Sequence, residues 1–338
     1  MTPRDYQLLA ATLASTKDRC GLEMTTGSGK SLTIALLIQK LQLKTLVVVP
    51  TLGLKYQLTE VLQSLFVDIR DRVVVENIAS KNLKKRGDFD VLIIDECHHA
   101  ASSTYRELNR KYWGNIYHRY FFSATFFRND EEERLLLESL VGNCAYSFGY
   151  REAVAADAIV PIEAYYIDLP KETSNAYGWH EVYKERVVNN AYRNLQIVGL
   201  LKSLEGKSVL CLVKEIEHGE ILSRMTGIPF ANGADEDTRG HIEEFNSGAI
   251  KAIIGTTGIL GEGVDSRPCE YVVIAGLGKA KSAFQQQVGR AVRKYPGKES
   301  AKVIIFKDGS HKYCLRHFNA QKKILKEEYG VTPIKIEL

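Results

Sequence analysis

The chain has no pair of cysteines at metal-binding or redox spacing. Its six cysteines (Cys20, Cys97, Cys144, Cys211, Cys269 and Cys314) lie far apart, without a C-x-x-C pair. That argues against a zinc site or a disulfide framework and fits a reducing cytoplasm, with most of the thiols serving as small buried apolar groups. No apolar run reaches the ~20 residues of a membrane-spanning helix, and the N-terminal MTPRDYQLLA lacks the basic-then-apolar order of a secretory signal. The expectation is a cytoplasmic protein with no membrane partner. Low-complexity segments and visible repeats are missing as well. A strong charge bias is also lacking: 45 Lys+Arg against 41 Asp+Glu, with a net charge of +4, leaves nucleic-acid binding undecided, so local clusters must carry that question.

What is present begins with length. At 338 residues the chain exceeds one typical domain and accommodates two. Short runs rich in Val and Ile recur without polar alternation: Thr45–Val49, Val73–Val75, Val91–Ile94, Tyr120–Phe122, Ala164–Ile167, Val209–Val213, Ala252–Ile254, Tyr271–Ile274 and Val303–Phe306. Strands buried on both faces have this pattern, as in a parallel sheet covered by helices. Amphipathic stretches such as Leu32–Gln42 and Gly240–Asn246 lie between them. The alternation predicts an α/β fold of two domains, each a mostly parallel sheet flanked by helices. The stretch between Gly142 and Pro161 carries no strong strand and marks the boundary. The expected domains are 1–150 and 151–325, followed by a tail, 326–338. The region Gln321–Leu338 reads as a charged helix and then a short strand.

Two motifs carry chemistry. Met24-Thr-Thr-Gly-Ser-Gly-Lys-Ser31 follows an apolar segment and precedes a helix. Gly27 and Gly29 permit a tight turn whose N–H groups, with those of Thr26 and Ser28, can face phosphate oxygens, and the new helix adds its positive end. Lys30 would reach the β- and γ-phosphates of ATP, and Ser31 would ligate Mg²⁺. Next, Ile93-Ile94-Asp95-Glu96-Cys97-His98 ends a buried strand, where a parallel sheet opens its ligand crevice. Asp95 is placed to hold Mg²⁺ and Glu96 to orient and deprotonate the attacking water. His98 suits a hydrogen-bonding role between the ATP site and the neighbouring domain, and His99 that of a solvated side chain.

Together these motifs resemble superfamily 2 helicases, from residue 3 to about 330. Pro3-Arg4-Asp5-Tyr6-Gln7 looks like the adenine-reading motif, in which Gln7 would pair bidentately with adenine and Arg4 or Tyr6 would lie against the base. Met24 replaces the usual glycine, a relaxation common among helicases and restriction motors. Ser123-Ala124-Thr125 looks like the motif coupling hydrolysis to strand movement, with Ser123 and Thr125 as coupling residues and Phe126 where the family often has proline. In the second half, Thr257 to Asp265 looks like the motif touching both nucleic acid and nucleotide, with Gly263 and Asp265 on the nucleotide side. Gln286-Gln-Val-Gly289-Arg290-Ala-Val-Arg293 looks like the arginine-finger motif. Its Arg290 and Arg293, three apart on one helix face, would point across a cleft at the γ-phosphate.

Within the superfamily the likeness is greatest to the UvsW, RadD and XPB branch, with the type III restriction motor as a cousin. It rests on DECHH, the early PRDYQ, the passage Glu152–Pro161 and a His-Gly-Glu at 218–220. Members of that branch usually carry an N-terminal DNA-binding domain, expected here to be missing. The resemblance implies nucleic-acid contacts at strand ends: Pro50 and Thr51, Asn77 and Ser80, and Thr257. Lys81, Lys84, Lys85 and Arg86 follow the second of these pairs.

The reading is an ATP-dependent translocase on DNA, moving 3′ to 5′ by analogy. An RNA helicase, a motor subunit of a repair or restriction complex with single-stranded-DNA-binding, repair or recombination partners, and a non-catalytic nucleic-acid-binding protein remain alternatives. The last of these conflicts with the intact Lys30, Asp95, Glu96, Arg290 and Arg293.

Overall fold

A computed structural model describes residues 2–65, 72–84, 88–97, 100, 102–124, 135, 138–140, 142–172, 174, 176–235, 237–260 and 269–337. The chain forms two compact units, Met1–Ala153 and Val154–Leu338.

In the first unit, helix α1 (Asp5–Ser15) leads into strand β1 (Arg19–Met24), then helix α2 (Lys30–Leu41), β2 (Thr45–Val49), helix α3 (Leu52–Leu65), β3 (Val73–Asn77), β4 (Val91–Ile94), helix α4 (Ser103–Leu108), β5 (His118–Ser123), β6 (Cys144–Phe148) and helix α5 (Tyr150–Ala155). The sheet order is β3-β2-β4-β5-β1-β6, every pair parallel. Parallel pairing forces all the strands to end on one edge, so the loops after β1, β2, β3, β4 and β5 share it. β2 and β4 are buried at every position, which is why their sequences do not alternate. Leu46, Val48, Leu92 and Ile94 pack with Trp113 and Phe121 in one core.

The second unit contains β7 (Ile162–Leu169), helix α6 (Gly178–Tyr183), helix α7 (Ala191–Ser203), β8 (Val209–Val213), helix α8 (Ile216–Thr226), β9 (Phe230–Ala231), helix α9 (Thr238–Ser247), β10 (Ala252–Thr256), the short helix α10 (Thr257–Leu260), β11 (Tyr271–Ile274), helix α11 (Lys281–Ala291), β12 (Ala301–Asp308), helix α12 (Lys312–Tyr329) and β13 (Ile334–Ile336). Its sheet runs β13-β7-β12-β11-β8-β10-β9, again parallel throughout. Val209, Cys211 and Val213 of β8 centre a core with Ile254, Val273, Ile304 and Phe306. Burying each such side chain contributes roughly 1.5–3 kcal/mol.

Three expectations need correction. The stretch 142–161 holds a strand, β6, and a helix, α5. β6 is an edge strand whose residues are mostly half-exposed, so it lacks the unbroken apolar signature of a central strand. Residues 326–338 are no tail: α12 continues to Tyr329, Gly330 ends it in the left-handed conformation, and β13 then pairs with β7. Third, α11 ends at Ala291, so Arg290 lies in its last turn and Arg293 beyond it. The Val292 carbonyl accepts from the Val160 N–H at 2.9 Å, and Arg293 bridges Ile159 in extended backbone, so the two arginines do not share a helix face. Among the described residues no helix is long and apolar enough to cross a membrane.

Candidate nucleotide and nucleic-acid sites

The loop from Thr25 to Gly29 joins β1 to α2. Gly27 and Gly29 sit at φ +81° and +84°, a region that costs an L residue about 1–2 kcal/mol. Gly29 has a second constraint: a Cβ there would stand 2.4 Å from Gln7 Nε2. Ser28 is buried, and its hydroxyl donates to the Thr25 carbonyl at 2.7 Å, closing the turn. Lys30 and Ser31 open α2, so Ser31 presents its hydroxyl in the first turn.

The Lys30 ammonium lies 3.2 Å from Glu96 Oε1 and 3.5 Å from the Met24 carbonyl. Both Lys30 and Glu96 are nearly buried, at 11% and 12% side-chain exposure, so water screens the pair weakly. Asp95, buried at the end of β4, turns Oδ1 back to accept the Glu96 N–H at 2.9 Å. Glu96 itself has φ +49°. A carboxylate held in left-handed backbone at a strand end is a strained position, and such strain is concentrated at functional sites. Cys97 is buried beside the two acids. Burial first, then their negative charge, pushes its thiol well above the ordinary range, so it is a packing group and no nucleophile. Ser123, fully buried, ends β5, the strand between those of Asp95 and the phosphate loop.

The residues expected to read adenine have partners in the structure. Gln7 is 3% exposed. Its Oε1 accepts the Arg4 N–H at 3.0 Å, and its Nε2 donates to the carbonyls of Ser28 at 3.1 Å and Gly29 at 3.3 Å. Gln7 therefore caps α1 and clasps the phosphate loop, and pairing with adenine would require Nε2 to leave those carbonyls. Tyr6 stacks on Phe148, with ring centroids 4.0 Å apart, and its hydroxyl donates to the Ser28 carbonyl at 2.7 Å.

On the same edge, Thr51 follows Pro50 after β2 and accepts the Leu54 N–H at 3.3 Å, stabilising the start of α3. Asn77 is the register partner of Val49, so Pro50–Thr51 and Asn77–Ser80 emerge side by side. Behind them is a network that the sequence did not announce. Glu76, buried, accepts from Lys55 at 2.9 Å and from Asn82 at 2.9 Å. Burial alone would raise its carboxyl; the hydrogen bonds from Lys55, Asn82 and Ser80 and the Lys55 charge bring it below the ordinary value. An acid inside a Val run was the available signal.

In the second unit Thr257 opens α10 directly after β10. Gln286 is half-buried in α11, and Arg290 is 8% exposed. Lys298 donates to the carbonyl of Ala291 and, at 2.9 Å, to that of Arg293, holding the chain on either side of the helix end. Burial pulls its ammonium down to about 8. His98, Thr125, Gly263 and Asp265 lie outside the described residues, as do Lys85 and Arg86.

These geometries stand beside matches to known proteins. Residues 1–85 and 67–128 match the family model described as type III restriction enzyme, res subunit, and residues 193–295 match the helicase conserved C-terminal domain. The chain is 23% identical over 371 residues to a DNA 3'-5' translocase, XPB2, of Sulfurisphaera tokodaii, covering 92% of this chain and 83% of that protein. It is 24% identical over 361 residues to a Saccharomyces cerevisiae protein named as an ATP-dependent helicase, IRC3, covering 90% of this chain but only 51% of the yeast protein. The chain thus spans about half the length of that relative. Among solved structures, S. cerevisiae Dbp5 bound to RNA and ADP BeF3 superposes with a TM-score of 0.72 at 16% identity, over 99% of this chain and 90% of that one. At that identity the likeness establishes the tandem RecA-like fold.

Proposed function

The chain belongs to the superfamily 2 helicases and is an ATP-hydrolysing enzyme, and from that premise we propose that it is a translocase that moves on DNA, 3′ to 5′. The observation that carries the hydrolytic part is the buried pairing of Lys30 with Glu96 at 3.2 Å on the edge that also presents Asp95 and Ser31. ATP entry exchanges that pair: Lys30 turns to the β- and γ-phosphates, and Glu96 is released to orient and deprotonate water for in-line attack. The N–H groups of Gly27–Ser31 and the positive end of α2 receive the remaining phosphate charge. Ser31, in the first turn of α2, and Asp95, after β4, are two hard oxygen donors on the same edge of the sheet and fit Mg²⁺, which when bound would neutralise charge between the phosphates. Arg290 and Arg293 are proposed to stabilise the γ-phosphate as charge develops, with Gln286 and the outlying Gly263 and Asp265 assisting.

The DNA assignment draws on the similarity to the Sulfurisphaera tokodaii translocase. Thr51, Asn77, Ser80 and Thr257 are proposed to hold phosphates, with Pro50 shaping the first of these loops. Ser123, with Thr125 and His98, is proposed to relay the state of the ATP site to the strand. Steady-state ATP hydrolysis without nucleic acid, with single-stranded and duplex DNA, and with RNA tests this reading. DNA should raise the rate at least severalfold and RNA less. Equal rates in every condition contradict a motor, and stimulation by RNA alone makes the chain an RNA helicase.

A further inference from the structure

The second unit contains a cavity of about 460 Å³ that the ATPase chemistry does not use, within the roughly 300–1,000 Å³ typical of small-ligand sites. It opens at the carboxyl edge of the sheet. Lys214 follows β8, Thr257 follows β10, and Gly276 to Lys279 follow β11; each lines it. The opposite wall comes from α6 and α12, elements that hold none of the helicase motifs, through Trp179, Tyr313, Arg316, His317 and Gln321.

Three properties of this cavity point the same way. Its walls are aromatic: Trp179 lies 4.1 Å from the His317 ring and 6.2 Å from that of Tyr313, and both Trp179 and Tyr313 stay partly exposed. Its charges are of one sign: Lys214, Lys279 and Arg316 are exposed at the rim, and no carboxylate lines it. Burial and those three cations hold the His317 imidazole below its ordinary pKa, as a locally positive field requires. Finally, two of its lining residues carry hydrogen-bonding atoms that are buried without a partner among the described residues, His317 Nδ1 on a side chain 7% exposed and Gln321 Oε1 on one 1% exposed, so a ligand would reach them by a small rotation of either side chain. Buried polar atoms are rarely left unmatched unless something else satisfies them.

A planar, polar-edged ring attached to an anion matches all three, and Thr257 in the wall places the cavity beside the proposed strand. We propose that this cavity receives one unstacked base of the bound nucleic-acid strand, packed against the exposed parts of Trp179 and Tyr313, whose rings meet edge to face at 80°, with its edge toward Gln321 and His317 and its flanking phosphates on Lys214, Lys279 and Arg316. The proposal rests on the nucleic-acid reading above and adds to it that the chain grips bases as well as backbone. Base–aromatic stacking is sequence-tolerant, which suits a motor.

The test uses the whole chain carrying Trp113→Phe, which leaves Trp179 as the only tryptophan. A thymidine oligonucleotide of about twenty nucleotides is compared with an abasic strand of equal length, which keeps the phosphates and lacks the bases. The thymidine strand should change Trp179 emission and bind about 10- to 100-fold tighter than the abasic one. Gln321→Leu should lower thymidine-strand affinity toward the abasic level and leave abasic binding unchanged. Arg316→Ala should weaken both strands, and neither substitution should alter binding of a fluorescent ATP analogue. Trp179→Ala should mimic Gln321→Leu; if it fails to fold, the other two substitutions still decide. Equal affinity for the two strands with Trp179 emission unmoved overturns the base pocket while leaving a backbone-gripping motor intact, and is the result expected if the cavity takes an apolar side chain of another protein. Failure of either strand to bind, together with ATPase activity indifferent to DNA and RNA, removes the nucleic-acid reading itself.

Discussion

Lys30 and Glu96 hold one another in a poorly screened environment, so the two residues fail differently when altered. Lys30→Ala removes the cation proposed to meet the phosphates, and nucleotide affinity should drop by roughly 10- to 100-fold, the loss of one charge-assisted hydrogen bond. Glu96→Gln keeps the shape and the lysine but removes the proposed base. ATP should bind at least as tightly as before, because the ion pair it displaces is gone, and turnover should fall by about 10²–10⁴. Titration with a fluorescent nucleotide and steady-state turnover separate the two; a Glu96→Gln variant hydrolysing at the parent rate contradicts the role given to Glu96. Both residues could be singled out in the sequence because the chemistry proposed for them demands a fixed context: glycines before a helix, and acids at the tip of an apolar strand. Gln7 was legible only in part. The sequence assigns its amide to adenine, and in the structure the same amide caps α1 and holds the Ser28 and Gly29 carbonyls, a second role the motif did not reveal. The capping pattern was there as Arg4-x-x-Gln7, but arginine is not a usual N-cap residue, so the signal was weak.

At the scale of elements, the His-Gly-Glu of residues 218–220 changes meaning. It served as a mark of family branch and proves to be a packing device. Gly219 lies where a Cβ would come 2.2 Å from the Phe230 ring, so only glycine lets α8 approach β9 this closely. His218 is fully buried and meets Asn194 Oδ1 at 3.0 Å through Nε2, while Nδ1 has no partner among the described residues. Burial first, then the Arg193 cation, lowers its pKa to about 3 from 6.5. The folded state therefore refuses a proton that the unfolded chain accepts. This stabilisation is complete above pH 6.5 and is lost as pH falls toward 3, amounting to about 2 kcal/mol between pH 7 and pH 5. Thermal unfolding at those two pH values should show a fall in midpoint that His218→Gln reduces; an equal fall in both proteins contradicts the assignment. The central strands were readable from continuous apolar runs because both their faces are covered. β6 was not, because an edge strand needs no such run, and the end of α11 was not, because a tertiary pairing between Arg293 and Ile159 sets it.

For the whole molecule, two α/β units could be read from the recurrence of strands, and the chain divides at Ala153–Val154. A net charge of +4 leaves strand binding to local contacts, so affinity for DNA should fall linearly with the logarithm of salt, with a slope of about −0.7 to −0.9 per phosphate contacted. A salt-independent affinity would argue against phosphate contacts altogether. Hydrolysis is proposed to need both units, Lys30 of the first to hold ATP and Arg290 of the second to speed its turnover. The measurement that tests this claim most directly is DNA-stimulated ATP turnover by Arg290→Ala, alongside its affinity for a fluorescent ATP analogue. Because the guanidinium is proposed to act where charge develops in the transition state, affinity should stay within about threefold and turnover should fall by about 10³–10⁵. Turnover at the parent rate would contradict the claim and leave the first unit as a self-sufficient ATPase.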